Sequence, residues 1–210
     1  MARISASILS FLFKARQNKE SDAVMIEKIN KALNEKRDRF DILHLDIEDG
    51  KFTDYKGFSI SQLRKIKCAK KKEAHLMVVD YKKYIKDYFH LTDMFIIQNE
   101  VIKSDFDDTI SFLRKNKKFV GIALNPETTI DEIRYLSKID LVLVMGIHPG
   151  APGQKFIETT LRKIKKLKEL RDTHCLRFMI EIDGGMDDIT SKKCIDAGAD
   201  IIEMGSHLFK

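Results

Sequence analysis

Short apolar runs rich in β-branched residues alternate along the chain with longer charged runs whose apolar residues recur at helical spacing. The apolar runs are Ile4–Leu9, Phe40–Ile47, Ala74–Val79, Met94–Gln98, Phe119–Leu124, Leu141–Met145, Arg177–Ile182 and Ile201–Met204. Between them lie amphipathic stretches such as Asp22–Arg37, Ser59–Lys70, Ser104–Asn116 and Phe156–Arg171. Eight strands separated by seven helical segments predict parallel strands joined by right-handed crossovers. Eight is also the number that closes a (β/α)8 barrel, so the pattern predicts an α/β TIM-type barrel, one domain over residues 1–210. A doubly wound open sheet is the runner-up, and it ordinarily uses fewer strands for this length.

Only six residues follow the last apolar run, so the eighth helix is expected to be missing or truncated. Counting by two from an inward Ser7, Ile4, Ala6 and Ile8 face outward. They and the outer face of strand eight are expected to lie bare along the seam, an apolar strip unusual on a soluble monomer. Either Phe11–Lys19 folds back over it or a second copy does; the mostly charged segment looks inadequate, so a homo-oligomer is expected.

Composition narrows the class. In 210 residues, 43% hydrophobic and 33% charged, there is enough apolar material for one domain with a core, which excludes disorder. No apolar run approaches the roughly 18 residues of a membrane-spanning helix, so no membrane partner is expected. The net charge of +6 comes from lysines spread along the chain. The densest clusters, Lys70–Lys72 and Lys163–Lys166, fall where helices or loops are expected. Aromatics make up 9% without any Trp and do not interleave with basic residues. This favours a solvated exterior over a nucleic-acid interface. Cys68, Cys175 and Cys194 form no C-x-x-C pair and read as the free thiols of a cytoplasmic protein. Residues 1–16 are basic and serine-rich, but no small-residue cleavage pattern follows Phe13 and the same stretch makes a good first strand, so no targeting segment is expected.

In a barrel of this kind chemistry sits at the C-terminal ends of the strands. There the chain places His44 and Asp46 on one face of the second strand, His75 in the third and Asp183 at the end of the seventh. A lone strand histidine is ordinarily a hydrogen-bonded core residue, and a strand-end aspartate is often a helix N-cap. Agreement among three strand ends instead favours convergence on one divalent ion, and imidazole with carboxylate suits Zn, Fe, Mn or Co. Glycines follow three consecutive strands: Gly150 and Gly153 after the sixth, Gly184 and Gly185 after the seventh, Gly205 before Ser206 after the eighth. Each alone reads as a turn residue. Together they favour a cradle for a phosphorylated ligand.

Ser5-Ala6-Ser7-Ile8-Leu9, His44-Leu45-Asp46-Ile47-Glu48-Asp49-Gly50, His75-Leu76-Met77-Val78, Asn125-Pro126, Val144-Met145, Pro149-Gly150, Gly153-Gln154-Lys155-Phe156, Glu181-Ile182-Asp183-Gly184-Gly185 and Gly205-Ser206 occur in this order. The series resembles the ribulose-phosphate 3-epimerase family along the whole chain. The resemblance implies an isomerase that epimerises C3 of a ketose phosphate, D-ribulose 5-phosphate to D-xylulose 5-phosphate, through a metal-stabilised enediolate. It also implies that His44, Asp46, His75 and Asp183 hold the metal and that Asp46 and Asp183 transfer the protons. Ser7, His75, Met77, Met145, Gly150, Ala151, Pro152, Gly153, Gly184, Gly185, Gly205 and Ser206 match its substrate- and phosphate-binding positions.

Two carboxylates on opposite sides of the substrate plane remove a proton from one face and return one to the other. A metal on the carbonyl acidifies the C–H bond. Three positions depart from the family's usual residues: Glu48 stands for Met, Gln98 lies near the place of a His, and Pro152 replaces a Gly and removes one N–H from the phosphate loop. Glu48, two residues beyond Asp46, is expected to point inward unless the strand curls away. These departures keep two alternatives open, a D-allulose 6-phosphate 3-epimerase and a non-catalytic phosphosugar-binding barrel.

Overall fold

The computed structural model describes residues 2–210; Met1, part of the expected domain, lies outside the described residues. The strands are β1 (Arg3–Ser7), β2 (Ile42–Glu48), β3 (Lys71–Met77), β4 (Met94–Gln98), β5 (Phe119–Leu124), β6 (Leu141–Met145), β7 (Met179–Asp183) and β8 (Ile201–Met204). They pair in chain order, β8 returns to β1, and the sheet closes into a parallel barrel. Four strands coincide with the apolar runs read from the sequence. The first strand stops at Ser7, because Leu9 already begins a helix.

An aspartate immediately before each even-numbered strand fixes the lower rim. Asp41, Asp93, Asp140 and Asp200 each accept, through Oδ2, the backbone N–H of the preceding odd strand: Ile4, Lys72, Val120 and Ile180, at 2.8–2.9 Å. The same aspartates donate their own N–H to the carbonyls of those four residues at 2.7–2.8 Å. The unit recurs four times, so β1–β2, β3–β4, β5–β6 and β7–β8 start in a common register. A one-residue slip would turn every bore-facing side chain outward. Lys71 and Lys72 therefore lie in a strand at this rim rather than in a helix or loop, and Lys71 pairs with Asp93 at 2.9 Å.

The outer layer consists of α1 (Leu9–Gln17), α2 (Asp22–Glu35), α3 (Ile60–Leu63), α4 (Tyr81–Tyr88), α5 (Phe106–Lys115), α6 (Thr160–Thr173) and α7 (Asp188–Ala197). Among the described residues, seven helices match the expected number but not the expected spacing. Two lie between β1 and β2, the Ser59–Lys70 stretch is helical only over α3, and β5 and β6 are joined through a single 3₁₀ turn, Ile130–Glu132. In that connection Ile130, Ile133 and Ile139 are buried against the sheet, so the strands are covered without a full helix.

The seam is not bare. Ala6, Ile8 and Ile202 are fully buried in one cluster with Leu12, Ile29, Leu33 and Leu208. The Phe11 ring packs edge-on against Phe209, centroids 5.2 Å apart. Residues after β8 fold back as turns, and Lys36 Nζ donates to the Lys210 carbonyl at 2.9 Å. The chain thus covers the strip with α1, α2 and its own last residues, and the seam supplies no argument for self-association.

The bore is divided. Ile96 of β4, Ala123 of β5, Leu141, Leu143 and Met145 of β6, and Ile201 of β8 make an apolar side. Opposite them β1, β2, β3, β7 and β8 bury Ser5, Ser7, His44, Asp46, Glu73, His75, Glu181, Asp183 and Glu203.

Behind β8, Cys194 of α7 is fully buried, and burial pushes its thiol up to about 12. Below the ordinary thiol pKa the group is neutral in the folded and the unfolded chain alike. As pH rises above about 8.5 the unfolded chain ionises first, so this contribution to stability declines toward the folded value. Cys194→Ala should therefore reduce the loss of stability between pH 7 and pH 10 in denaturant unfolding; an unchanged difference would contradict this account.

Candidate active site

Alternation along the strands turns His44, Asp46 and Glu48 of β2, Glu73, His75 and Met77 of β3, and Glu181 and Asp183 of β7 into the bore. At the upper end four of these meet. One nitrogen or oxygen from each of His44, Asp46, His75 and Asp183 lies within 4.8 Å of the others, and all four side chains are buried. Asp46 Oδ1 lies 3.4 Å from His44 Nε2 and 3.9 Å from His75 Nδ1, while Asp183 Oδ2 lies 3.3 Å from His75 Nδ1. Even so, His44 Nε2 and His75 Nδ1 make no well-formed hydrogen bond. Two buried imidazole nitrogens without partners, facing two carboxylates, fit a divalent metal, and the donor set is one that zinc, iron, manganese and cobalt share.

Burial and neighbouring charge oppose each other at two of these groups. Burial disfavours a charged His44, yet the Asp46 carboxylate beside it and the hydrogen bond to Glu73 outweigh it and hold the imidazole well above its usual value. Burial would raise Asp183, yet the close approach of His75 and the charge of both imidazoles bring it down to about 2. The carboxylates thus favour a charged His44, and the imidazoles keep Asp183 ionised.

The far sides of the two imidazoles are also held. His44 Nδ1 lies 2.9 Å from Glu73 Oε1 and 3.8 Å from Glu181 Oε1, and Ser5 Oγ donates to Glu73. With the Gln98 amide turned as its neighbours require, its nitrogen donates to Glu100 Oε2 at 3.0 Å and to the Ala123 carbonyl at 3.3 Å. Its oxygen then accepts from His75 Nε2 at 3.1 Å. Carboxylate and amide partners of this kind fix ring orientation and tautomer, leaving His44 Nε2 and His75 Nδ1 to face the cluster. Gln98 therefore acts behind His75, fully buried, rather than on the cavity wall.

Above the cluster opens a cavity of about 340 Å³. Of the residues expected to bind substrate, Ser7, Met77, Met145, Gly150, Pro152 and Gly153 line it. Gly184, Gly185, Gly205 and Ser206 line it as well. His75 contributes to the cluster below instead. Ala151 does not line the cavity; its carbonyl accepts from Gln154 Nε2 at 2.9 Å, a bond that shapes the loop. Gly185 has φ +74°, and a Cβ there would come within 2.9 Å of the Phe156 backbone, so only glycine fits the turn. Among the described residues the N–H groups of Gly184, Gly185 and Ser206 donate to no acceptor within the chain. Such unpaired amides suit an anion.

Glu48 turns inward rather than into solvent. It is buried, Thr53 Oγ1 donates to its Oε1 at 3.4 Å, and its Oε2 has no partner. Burial and the nearby Asp46 carboxylate push it up to about 8. Sequence reasoning missed Glu203, which lines the cavity, and the Glu73–Glu181 pair beneath it, although each follows from stepping by two along its strand from a recognised position or loop.

The family profile described as "Ribulose-phosphate 3 epimerase family" matches residues 3–209. A ribulose-phosphate 3-epimerase of Aquifex aeolicus is 34% identical over 173 residues, 80% of this chain and 78% of that protein. One from Synechocystis is 33% identical over 174 residues, 80% of this chain and 76% of that protein. Among solved structures, a 3-hexulose-6-phosphate synthase aligns with a TM-score of 0.64 at 14% identity, covering 97% of this chain and 89% of its own. The tryptophan synthase α-subunit of Pyrococcus furiosus aligns at 0.67 and 11% identity, covering 100% of this chain and 90% of its own. These structural likenesses show the barrel fold alone, whereas the profile match and the relatives' identity place the chain in the ribulose-phosphate 3-epimerase family.

Proposed function

We propose that this chain, acting as a single-domain cytoplasmic enzyme, epimerises D-ribulose 5-phosphate and D-xylulose 5-phosphate at C3. The observation that carries this reading is the meeting of two carboxylates and two imidazoles at one point below a cavity lined by unpaired backbone amides. The three free thiols support a reducing compartment. No described helix is long and apolar enough to cross a membrane.

His44, Asp46, His75 and Asp183 would hold the metal, which when bound supplies Lewis acidity that weakens the C3–H bond of the ketose. The rest falls to the chain. Asp46 and Asp183 stand on β2 and β7, either side of the substrate position, so one accepts the C3 proton while the other returns a proton to the opposite face. Ser7 Oγ donates to Asp46 Oδ2 at 2.7 Å and holds that carboxylate in place. Met77 and Met145 supply apolar, adaptable wall beside the reacting carbon. Gly184, Gly185, Gly205 and Ser206 offer backbone donors to the phosphate, and the loop carrying Gly150, Pro152 and Gly153 covers it from the other side.

In deuterated water the metal-loaded protein should place label at C3 of both pentulose phosphates. Label from D-allulose 6-phosphate in preference would transfer the activity to the hexulose, and no label from either would leave a binding barrel. Asp183→Asn should reduce epimerisation by about 100- to 10,000-fold, the usual contribution of one acid–base group. Near-parent turnover in that variant would remove the two-base assignment.

His75→Ala should lose metal and activity together. Glu73→Gln, with all four ligands intact, should weaken metal binding by about 10- to 100-fold through misorientation of His44. Unchanged metal content and affinity in both variants would contradict the site.

A further inference from the structure

Glu203 is a buried carboxylate on the cavity wall that belongs to neither the four-residue cluster nor the glycine cradle. It projects from β8 and is 5% exposed. It shares the wall with Asp183, Gly205 and Ser206. Its carboxyl stands beside that of Asp183. Its Oε1 lies 3.6 Å from where a Cβ on Gly205 would stand. The side chain therefore bridges one proton-transfer carboxylate and the start of the anion cradle.

A pentulose 5-phosphate with C3 at the cluster and its phosphate at Gly184, Gly185 and Ser206 would carry C4 along the wall that Glu203 shares with Asp183 and Gly205. A carboxyl group next to a phosphate is unfavourable unless a donor is shared with it. The only donor the substrate presents at that point is the C4 hydroxyl. Resting on the activity proposed above, we propose that Glu203 accepts a hydrogen bond from the C4 hydroxyl and thereby selects ketose phosphates with an oxygen between the reacting carbon and the phosphate.

The test compares D-xylulose 5-phosphate with its 4-deoxy analogue, which keeps the ketone, the C3 hydrogen and the phosphate. On the metal-loaded parent, kcat/KM should favour the hydroxylated sugar by about 10- to 100-fold, the range for leaving a buried polar group without its partner. Glu203→Ala should bring the two sugars to within about threefold, since little remains to tell them apart. Glu203→Gln, which keeps an acceptor oxygen, should retain most of the preference.

If Glu203 only positions Asp183, the alanine variant loses rate equally on both sugars and the ratio stays at the parent value; that result overturns the proposal. A parent that handles both sugars alike overturns it without any variant, which keeps the test decisive should Glu203→Ala fail to fold. Label at C3 separates the two levels of failure. A parent that introduces none contradicts the proposed activity, and the same ratio is then read from calorimetric binding of the two sugars to the parent and its variants. A parent that introduces label but shows no 4-hydroxyl preference contradicts the role of Glu203 alone.

Discussion

Negative charge buried in the bore is the constraint on which the rest of this molecule depends. Asp46, Glu48, Glu73, Glu181, Asp183 and Glu203 are all at most 8% exposed, and no lysine or arginine is buried with them among the described residues. A carboxylate removed from water without compensation costs several kcal/mol, so each must share a proton, accept hydrogen bonds or face a cation. The lower part of the bore takes the first two routes: Ser5 and His44 hydrogen-bond Glu73, and burial with Glu73 alongside holds Glu181 well above the ordinary carboxylate range. The upper part, where Asp46 and Asp183 face partnerless imidazole nitrogens, is arranged for a cation.

That arrangement is tolerable because the frame beneath it is stiff. The four aspartates of the lower rim fix strand register at the end away from the chemistry, while the loops above β6, β7 and β8 are free to be shaped for a ligand. The apolar half of the bore, from Ile96 to Met145, packs without polar demands. The buried acidic and imidazole side chains of the bore come from β2, β3, β7 and β8, with Gln98 of β4 behind His75.

Much of this was legible in the chain. The number and order of strands follow from apolar periodicity, and His44, Asp46, His75 and Asp183 could be picked out because each stands at a strand's upper end on the inward period. What escaped notice was of two kinds. Some signals were present but unread: an aspartate precedes each even-numbered strand, and Glu73 and Glu181 lie two residues before His75 and Asp183 on the same face. Others depend on distant pairings that periodicity does not encode. Phe11 meeting Phe209 closes the seam, and Gln98 reaches His75 across neighbouring strands. A helix between β5 and β6 follows from the alternation of elements, but Ile130, Ile133 and Ile139 achieve burial there without one.

The central claim is that the His44–Asp46–His75–Asp183 cluster works only around a divalent ion. Its most direct measurement is the rate of C3 hydrogen exchange of D-ribulose 5-phosphate with solvent, followed as metal is stripped by a chelator and returned. The account predicts that exchange falls to background on stripping and recovers fully at one equivalent of metal per chain. Exchange that persists at the original rate in metal-free protein would contradict it.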